Sequence, residues 1–262
     1  MSDESAVLFE RLGPVATLTL NRPTVGNAIN VSMARNLLEA AIVCDADDAI
    51  RCVLLTGAGR LFCTGGDVTS FAAAGDSVGS VVREITAYLH MAIARFAHMG
   101  KPLVTAINGP AAGAGFGLSL LGDLVLAAHS AYFTLAYTAI GLTPDAGSTW
   151  LLPRLVGLRR AQELVLTNRR IPAAEALSLG LVTRLVDDAA LVADSRALAG
   201  EVACAATGAF AQSRRLLLSS YESSLETQLE AEARAIVEAV DTPHGKEGIR
   251  AFLAKVKPNF SL

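Results

Sequence analysis

One acidic residue lies in a segment whose composition suits both a turn and a catalytic site. Asp145 occurs in GLTPDAGSTW (residues 141–150), between Pro144 and Gly147 and just before an apolar, helix-like run. A carboxylate in such a place could act as a general base or acid and move a proton to and from a substrate. Proline, aspartate and glycine also form tight turns in proteins of every kind. The segment alone leaves the structural and the catalytic interpretation open.

Two further segments combine small residues with a preceding apolar stretch. They are FCTGGD (residues 62–67) and INGPAAGAG (residues 107–115). Residues without bulky side chains let the backbone approach a ligand closely, so N–H groups from both segments could bind a single oxygen atom. Tight strand-to-helix connections that bind nothing have the same composition. Spacing alone does not distinguish the two interpretations.

Familiar cofactor and nucleophile signatures are incomplete. GAGFG (residues 113–117) is followed by Leu118, where a dinucleotide-binding loop would have its last glycine. The chain has no GxxxxGK[ST] segment and no HExxH site. The histidines are therefore expected to be structural or to face solvent; they are His90, His98, His129 and His244.

Composition narrows the class of protein. The 262 residues are 52% hydrophobic with a net charge of −3, which predicts a globular, soluble protein whose main partner is not nucleic acid. Four cysteines without metal-type spacing, and an acidic N-terminus unlike a secretory signal, favour the cytoplasm. Residues 102–122 are uncharged, but they contain two prolines and five glycines, so a buried strand, loop and helix explain them better than a membrane span.

Hydrophobic periodicity predicts the elements that must position these segments. Alternation favours two strands within 6–20, and helical spacing follows from a cap at Asn30 or Ser32 to about Asp45. Further strands are predicted at 52–55, 103–107, 124–128 and 132–135, and helices at 78–98, 113–121, 148–156, 159–167, 172–179, 189–206, 210–219, 225–240 and 243–255. This order predicts an α/β core of about 200 residues with a helical tail. Periodicity does not separate a doubly wound sheet from a stacked spiral.

Several motifs together resemble the crotonase, or enoyl-CoA hydratase/isomerase, superfamily. They are LNRP (20–23), NAIN (27–30), the two small-residue segments, GLTPD (141–145) and the ending FLAKVKPNF (252–260). The resemblance covers nearly the whole chain. It implies a crotonase-like spiral of ββα units over residues 1–200 and a helical C-terminal trimerisation region over 201–262, in a homotrimer or dimer of trimers. It also implies an acyl-CoA thioester substrate, with coenzyme A as part of that substrate and no separate cofactor or metal.

The resemblance also implies an oxyanion hole. The family's two backbone donors to the thioester oxygen match Gly66 and Ala114 here. Removing a proton beside a thioester places negative charge on that oxygen, so donors directed at it lower the barrier. Alanine instead of glycine at position 114 leaves the backbone donor in place.

The acid–base residues of the family's hydratases have no counterpart in this chain. Their two glutamates match Gly117 and Tyr137, which argues against efficient addition of water. Asp145 matches the acid of the superfamily's enoyl-CoA isomerases, and residues 141–147 and 149–154 look especially like ring-1,2-epoxyphenylacetyl-CoA isomerases. Asp145 is therefore predicted to carry a proton between two carbons while the oxyanion hole holds a dienolate.

Other functions stay open. The chain could be an ordinary enoyl-CoA hydratase, or a non-catalytic acyl-CoA-binding subunit that keeps the fold. Dehalogenases of the superfamily also keep an aspartate here, as a nucleophile, with aromatic and histidine partners that the sequence does not place.

For the coenzyme A moiety the resemblance points to three regions. They are Arg22 with the segment Val25 to Asn27, the backbone at Thr64, Gly65 and Asp67, and Lys255, which could reach from a neighbouring subunit. Asp67 could instead organise its loop, and the cations could be ordinary surface charges. The acyl group is not predicted, because Phe71, Tyr88 and Phe96 could line its pocket or fill the core.

Overall fold

The structure is a computed structural model that describes residues 5–260. Its strands are β1 (Val7–Leu12), β2 (Val15–Leu20), β3 (Cys52–Gly57), β4 (Leu103–Ile107), β5 (Ala111–Ala112), β6 (Leu124–Ala128), β7 (Tyr132–Thr134), β8 (Ile171–Pro172) and β9 (Arg184–Val186). Its helices are α1 (Val31–Ala46), α2 (Val68–Ala73), α3 (Val78–His98), α4 (Ala114–Ser119), α5 (Ser148–Val156), α6 (Leu158–Thr167), α7 (Ala173–Ser178), α8 (Leu191–Ala203), α9 (Thr207–Ser219), α10 (Leu225–Asp241) and α11 (Pro243–Ala254).

The strands form two sheets. The larger has the order β1-β2-β3-β4-β6-β9, in which β1 and β2 are antiparallel and every later pairing is parallel. The smaller has the order β5-β7-β8. Isolated bridges join Ile29 to Gly66 and Cys63 to Ala111, so the connections that leave β3 and β4 are themselves paired. This arrangement is the predicted spiral, and it brings the two small-residue segments together.

The larger sheet is buried on both faces. Val53 and Leu55 of β3 belong to the main apolar cluster, together with side chains of α1 and α3. Cys52 and Leu54, which point the opposite way, belong to a second cluster with side chains of α8. Burial on both faces explains why the central strands are continuously apolar and do not alternate.

The helical C-terminal part is attached to the core by a buried cation. The Arg214 guanidinium, on α9, donates to the carbonyl oxygens of Phe96, Met99 and Lys101 and pairs with Asp123. The predicted division at residue 200 falls inside α8, which packs on the core sheet.

Most predicted elements are confirmed. The Asn30 side chain caps α1 by accepting from the Met33 N–H, and the uncharged residues 102–122 contain β4 and α4. No helix in the described part of the chain is long and apolar enough to span a membrane. Four elements were not predicted, because each has two to six residues and is too short to show a period; they are α2, β5, β8 and β9.

Candidate active site

Two backbone N–H groups without acceptors lie where the small-residue segments meet. The bridge between Ile29 and Gly66 uses the Gly65 carbonyl and the Asp67 N–H, which leaves the Gly66 N–H unpaired among the described residues. Ala114 is the first residue of α4, so its N–H has no acceptor within that helix. Both predicted oxyanion donors are therefore available to a ligand.

Glycine is required for the close approach of these two segments. A Cβ on Gly65 would lie 3.0 Å from the Ala112 oxygen and 3.2 Å from the Ala114 nitrogen, and its φ is +95°. A Cβ on Gly115 would lie 2.2 Å from the Cys63 oxygen. Either substitution would separate the segments, because the obstructing atoms belong to the backbone.

Asp67 organises the first segment. Its carboxylate caps α2 by accepting from the Ser70 N–H at 3.1 Å, and it pairs with the Arg22 guanidinium at 2.9 Å. Burial alone would raise the pKa of Asp67, but these hydrogen bonds outweigh it and hold the pKa below its ordinary value. Arg22 also donates to the Ala28 carbonyl, so its charge is already partnered within the chain.

Asn27 lies in the protein interior beside the start of the FCTGGD segment (residues 62–67), and its side chain does not reach the surface. It is fully buried with φ of +55°, and its amide donates to the carbonyl oxygens of Ala58, Leu61 and Phe62 while accepting from the Arg22 N–H. Its side chain has no surface on which to contact coenzyme A. Val25 and Thr64, in contrast, are exposed beside it.

Asp145 lies on a turn that is fixed from several sides. Its carbonyl accepts from both the N–H and the hydroxyl of Ser148, and the next two residues, Ala146 and Gly147, have φ of +51° and +75°. Ala146 is fully buried, whereas the Asp145 side chain remains 30% exposed. The turn therefore presents a solvent-accessible carboxylate on a rigid base.

Two side chains from other elements meet this carboxylate. The Tyr137 hydroxyl donates to Asp145 Oδ1 at 2.5 Å, and His90 Nε2 on α3 lies 3.5 Å from Oδ2. Burial, with the Asp145 charge beside it, raises the pKa of Tyr137 far above its ordinary value, so Tyr137 is a hydrogen-bond donor and not a base. His90 is exposed as expected, but nothing near it in the sequence indicates its partner, which is 55 residues away in the chain.

Tyr137 and Gly117 are the two positions that match glutamates of the family's hydratases, and Gly117 also lies against the turn. A Cβ there would lie 2.5 Å from the Ala146 oxygen. Gly117 follows Ala114 by three residues in α4, a rise of about 4.5 Å, so the turn of Asp145 lies one helical turn from an oxyanion donor.

The other candidate residues lie in the core, over Gly66 or apart from these segments. Phe96 is buried in the core, while Phe71 covers Gly66, where its ring would be 2.8 Å from an added Cβ. Lys255 ends α11, and none of its hydrogen bonds joins it to the site. Burial raises the pKa of the Cys63 thiol to about 12, so it is not a nucleophile. Residues 5–260 contain no cluster of side chains suited to a metal ion.

The spiral of strands, with the Gly66 and Ala114 N–H groups on the connections that follow β3 and β5, is that of the crotonase-fold class of proteins. A solved structure described as an enoyl-CoA hydratase from Polaromonas sp. JS666 matches with a TM-score of 0.92 at 32% identity, covering 97% of this chain and 98% of that one. The family model described as enoyl-CoA hydratase/isomerase matches residues 10–261. The chain belongs to this family of acyl-CoA enzymes.

Relatives within the family carry different activities. A 1,2-epoxyphenylacetyl-CoA isomerase of Escherichia coli (strain K12) is 40% identical over 94% of this chain and 95% of its own length. A probable enoyl-CoA hydratase of Rhodobacter capsulatus is 41% identical, with 97% of each chain covered. A 4-chlorobenzoyl coenzyme A dehalogenase of Arthrobacter sp. is 34% identical over 95% of this chain and 91% of its own.

Proposed function

We propose that this protein is an enoyl-CoA isomerase that shifts a double bond of an acyl-CoA, with Asp145 as the proton carrier. One observation carries the proposal: the two positions where the family's hydratases have glutamates are here a glycine under the Asp145 turn and a tyrosine bonded to the Asp145 carboxylate. A site with a single placed carboxylate suits a reaction that removes and returns one proton. Addition of water needs a second acid–base group.

The residues divide the reaction between them. The thioester oxygen accepts hydrogen bonds from the Gly66 and Ala114 N–H groups, which stabilise the negative charge that develops as the α-proton leaves. Asp145 takes a proton from one carbon and returns it to another two atoms along, and the electrons of the broken C–H bond delocalise into a dienolate. Tyr137 orients the carboxylate throughout.

The test compares two substrates and two proteins. Purified protein and its Asp145→Asn variant are given a 3-enoyl-CoA and, separately, a 2-enoyl-CoA in water. Wild type is expected to isomerise, and the variant to lose roughly 10²- to 10⁴-fold in rate, because the general base is gone. Asp76→Asn, an exposed aspartate, is the matched control.

Three results would oppose the proposal. Hydration of the 2-enoyl-CoA by both proteins would favour a hydratase, and isomerisation unaffected by Asp145→Asn would remove Asp145 from the mechanism. Binding of acyl-CoA with no turnover of either substrate would favour a non-catalytic subunit.

A second candidate function is supported by His90. A carboxylate between an aromatic donor and a histidine suits displacement of halide from an aromatic acyl-CoA. Asp145 would bond to the ring carbon as chloride leaves, and water deprotonated by His90 would then attack the ester carbonyl, returning the carboxylate and a phenol. Chloride release from 4-chlorobenzoyl-CoA, lost in Asp145→Asn, would support this alternative; no release would exclude it.

We also propose that the substrate's coenzyme A lies along Arg22, Val25 and Thr64 to Asp67, and that the chain acts as a homotrimer or dimer of trimers. The C-terminal helices expose large apolar side chains, among them Phe252 and Leu253, which association would bury. Lys255 lies beside them and would reach coenzyme A only across a subunit contact. Sedimentation analysis of the full chain should give a trimer or hexamer.

A further inference from the structure

We propose that Gly117 is a positioning residue: its missing side chain sets the place of Asp145 relative to the oxyanion donors. The inference rests on the proposed function of Asp145. A Cβ built on Gly117 would lie 2.5 Å from the oxygen, 2.8 Å from the Cβ and 3.2 Å from the carbonyl carbon of Ala146. The turn therefore packs directly on the backbone of α4.

The backbone conformation of Gly117 gives no other reason for glycine. Its φ is not positive, and it lies inside α4, where alanine is ordinarily the more stable residue. Close packing accounts for the glycine, because only a residue without a Cβ leaves room for Ala146.

Neither the turn that contains Ala146 nor α4 can move easily to relieve this contact. On one side Ala146 is fully buried, and the turn is held by Ser148 and by Tyr137. On the other side α4 packs on the first site segment, since a Cβ on Gly115 would meet the Cys63 carbonyl at 2.2 Å. A methyl group at 117 must therefore either lift the Asp145 turn or push α4 against the segment that leads to Gly66.

Both movements change the geometry that proton transfer needs. The carboxylate must reach a carbon of a substrate whose thioester oxygen is fixed at the Gly66 and Ala114 N–H groups. Misplacement by about 1 Å can cost roughly 10²-fold in rate. A glutamate at 117 would bring the same Cβ against Ala146, so it too requires the Asp145 turn or α4 to move.

The experiment compares Gly117→Ala with Gly200→Ala in the full chain. Gly200 lies inside α8 with no atom within 4 Å of an added Cβ, so its substitution tests helix glycine replacement alone. Isomerisation of a 3-enoyl-CoA should fall roughly 10²-fold in kcat for Gly117→Ala, with a small change in KM, and stay at the wild-type rate for Gly200→Ala. A crystal structure of Gly117→Ala should show the Asp145 carboxylate displaced relative to the Gly66 and Ala114 nitrogens.

A second substitution tests the contact itself. Ala146→Gly removes one of the clashing atoms and frees a position whose φ is already positive, so Gly117→Ala/Ala146→Gly should recover part of the lost rate. If Gly117→Ala does not fold, the double variant is compared with Ala146→Gly, and equal rates overturn the proposal. Gly117→Glu should neither isomerise nor hydrate; hydration gained with isomerisation kept also overturns it.

Different results would contradict the proposed isomerase function and the positioning role of Gly117. Wild-type protein that does not isomerise a 3-enoyl-CoA removes the proposed function, while the crystal structure of Gly117→Ala still decides the positioning. An active Gly117→Ala variant at the wild-type rate, or an Asp145 carboxylate that does not move in its structure, overturns the role of Gly117 and leaves the function standing.

Discussion

At the scale of single residues, the proposed function depends on the side chains that surround the Asp145 carboxylate. Asp145 has a donor from Tyr137 on one oxygen and His90 near the other, and both partners come from different parts of the chain. Hydrogen bonds to a charged acceptor are stronger than those between neutral groups, so Tyr137 fixes the orientation of the acid. Tyr137 thereby orients the proposed acid–base group and is not itself one.

Removing the Tyr137 hydroxyl tests this role. Tyr137→Phe keeps the ring and is expected to lower kcat for isomerisation roughly 10- to 100-fold, the equivalent of about 1.5–3 kcal/mol for a hydrogen bond to a charge. Steady-state kinetics with a 3-enoyl-CoA measures it. Tyr221→Phe, at an exposed site, is the matched control. A Tyr137→Phe enzyme with the wild-type kcat would contradict the orienting role.

At the scale of elements, the site depends on short connections between strands and helices. Side chains close to these connections hold them in place. The first segment is held by Asn27 from behind and by Asp67, which caps α2 and pairs with Arg22. These contacts fix the segment that carries the Gly66 N–H, the proposed oxyanion donor. Arg22 already has an ionic partner, so any contribution it makes to binding coenzyme A is shared with this structural role.

The ion pair of Asp67 predicts a pH dependence of stability. The pKa of Asp67 in the folded chain lies below its ordinary value of 3.8, so the ionised form stabilises the fold above about pH 3.8, and this contribution is lost as the pH falls through the folded pKa. Asp67→Asn keeps the cap but removes the charge. It should lower the free energy of unfolding at pH 7 by about 1.5–3 kcal/mol.

Denaturant unfolding between pH 7 and pH 2.5 measures this difference. The wild type should lose more stability than Asp67→Asn as acid is added, and the two should converge at the lowest pH. Asp48→Asn, at an exposed site, should follow the wild type. Parallel curves for wild type and Asp67→Asn would contradict the assignment.

At the scale of the whole molecule, one buried cation joins the C-terminal helices to the core. Arg214 is 8% exposed, and its contacts end on the connection between α3 and β4 and on Asp123. The same guanidinium also donates to the Phe96 carbonyl near the C-terminal end of α3, the helix that carries His90. Breaking a buried ion pair leaves an uncompensated charge, which is more costly than replacing both partners.

Arg214→Met should therefore destabilise the protein by about 3–5 kcal/mol. Arg215→Met, its exposed neighbour on α9, should change stability little. Arg214→Met/Asp123→Leu should recover much of the loss, because neither charge remains. Thermal and denaturant unfolding measure all three; equal effects of the two arginine variants would contradict the docking role.

The sequence by itself determined the family, the spiral class and the segments that form the site. The family and the spiral followed from the resemblance carried by the short motifs, while apolar periods were long enough to identify β3, β4, α1 and α3. The sequence also indicated Gly66, Ala114 and Asp145 through their motifs. The roles of these three residues remain a proposal until the variants are measured.

Only the tertiary structure decided the contacts between distant segments. Nothing in the neighbourhood of His90 or Tyr137 indicates Asp145, and nothing near Gly117 indicates Ala146, because hydrogen bonding and close packing depend on distances in space. Burial likewise decided that Asn27 supports a loop and does not face a ligand. The GLTPD motif could indicate Asp145. Only the fold shows that Tyr137 and His90 contact its carboxylate and that Ala146 packs against Gly117.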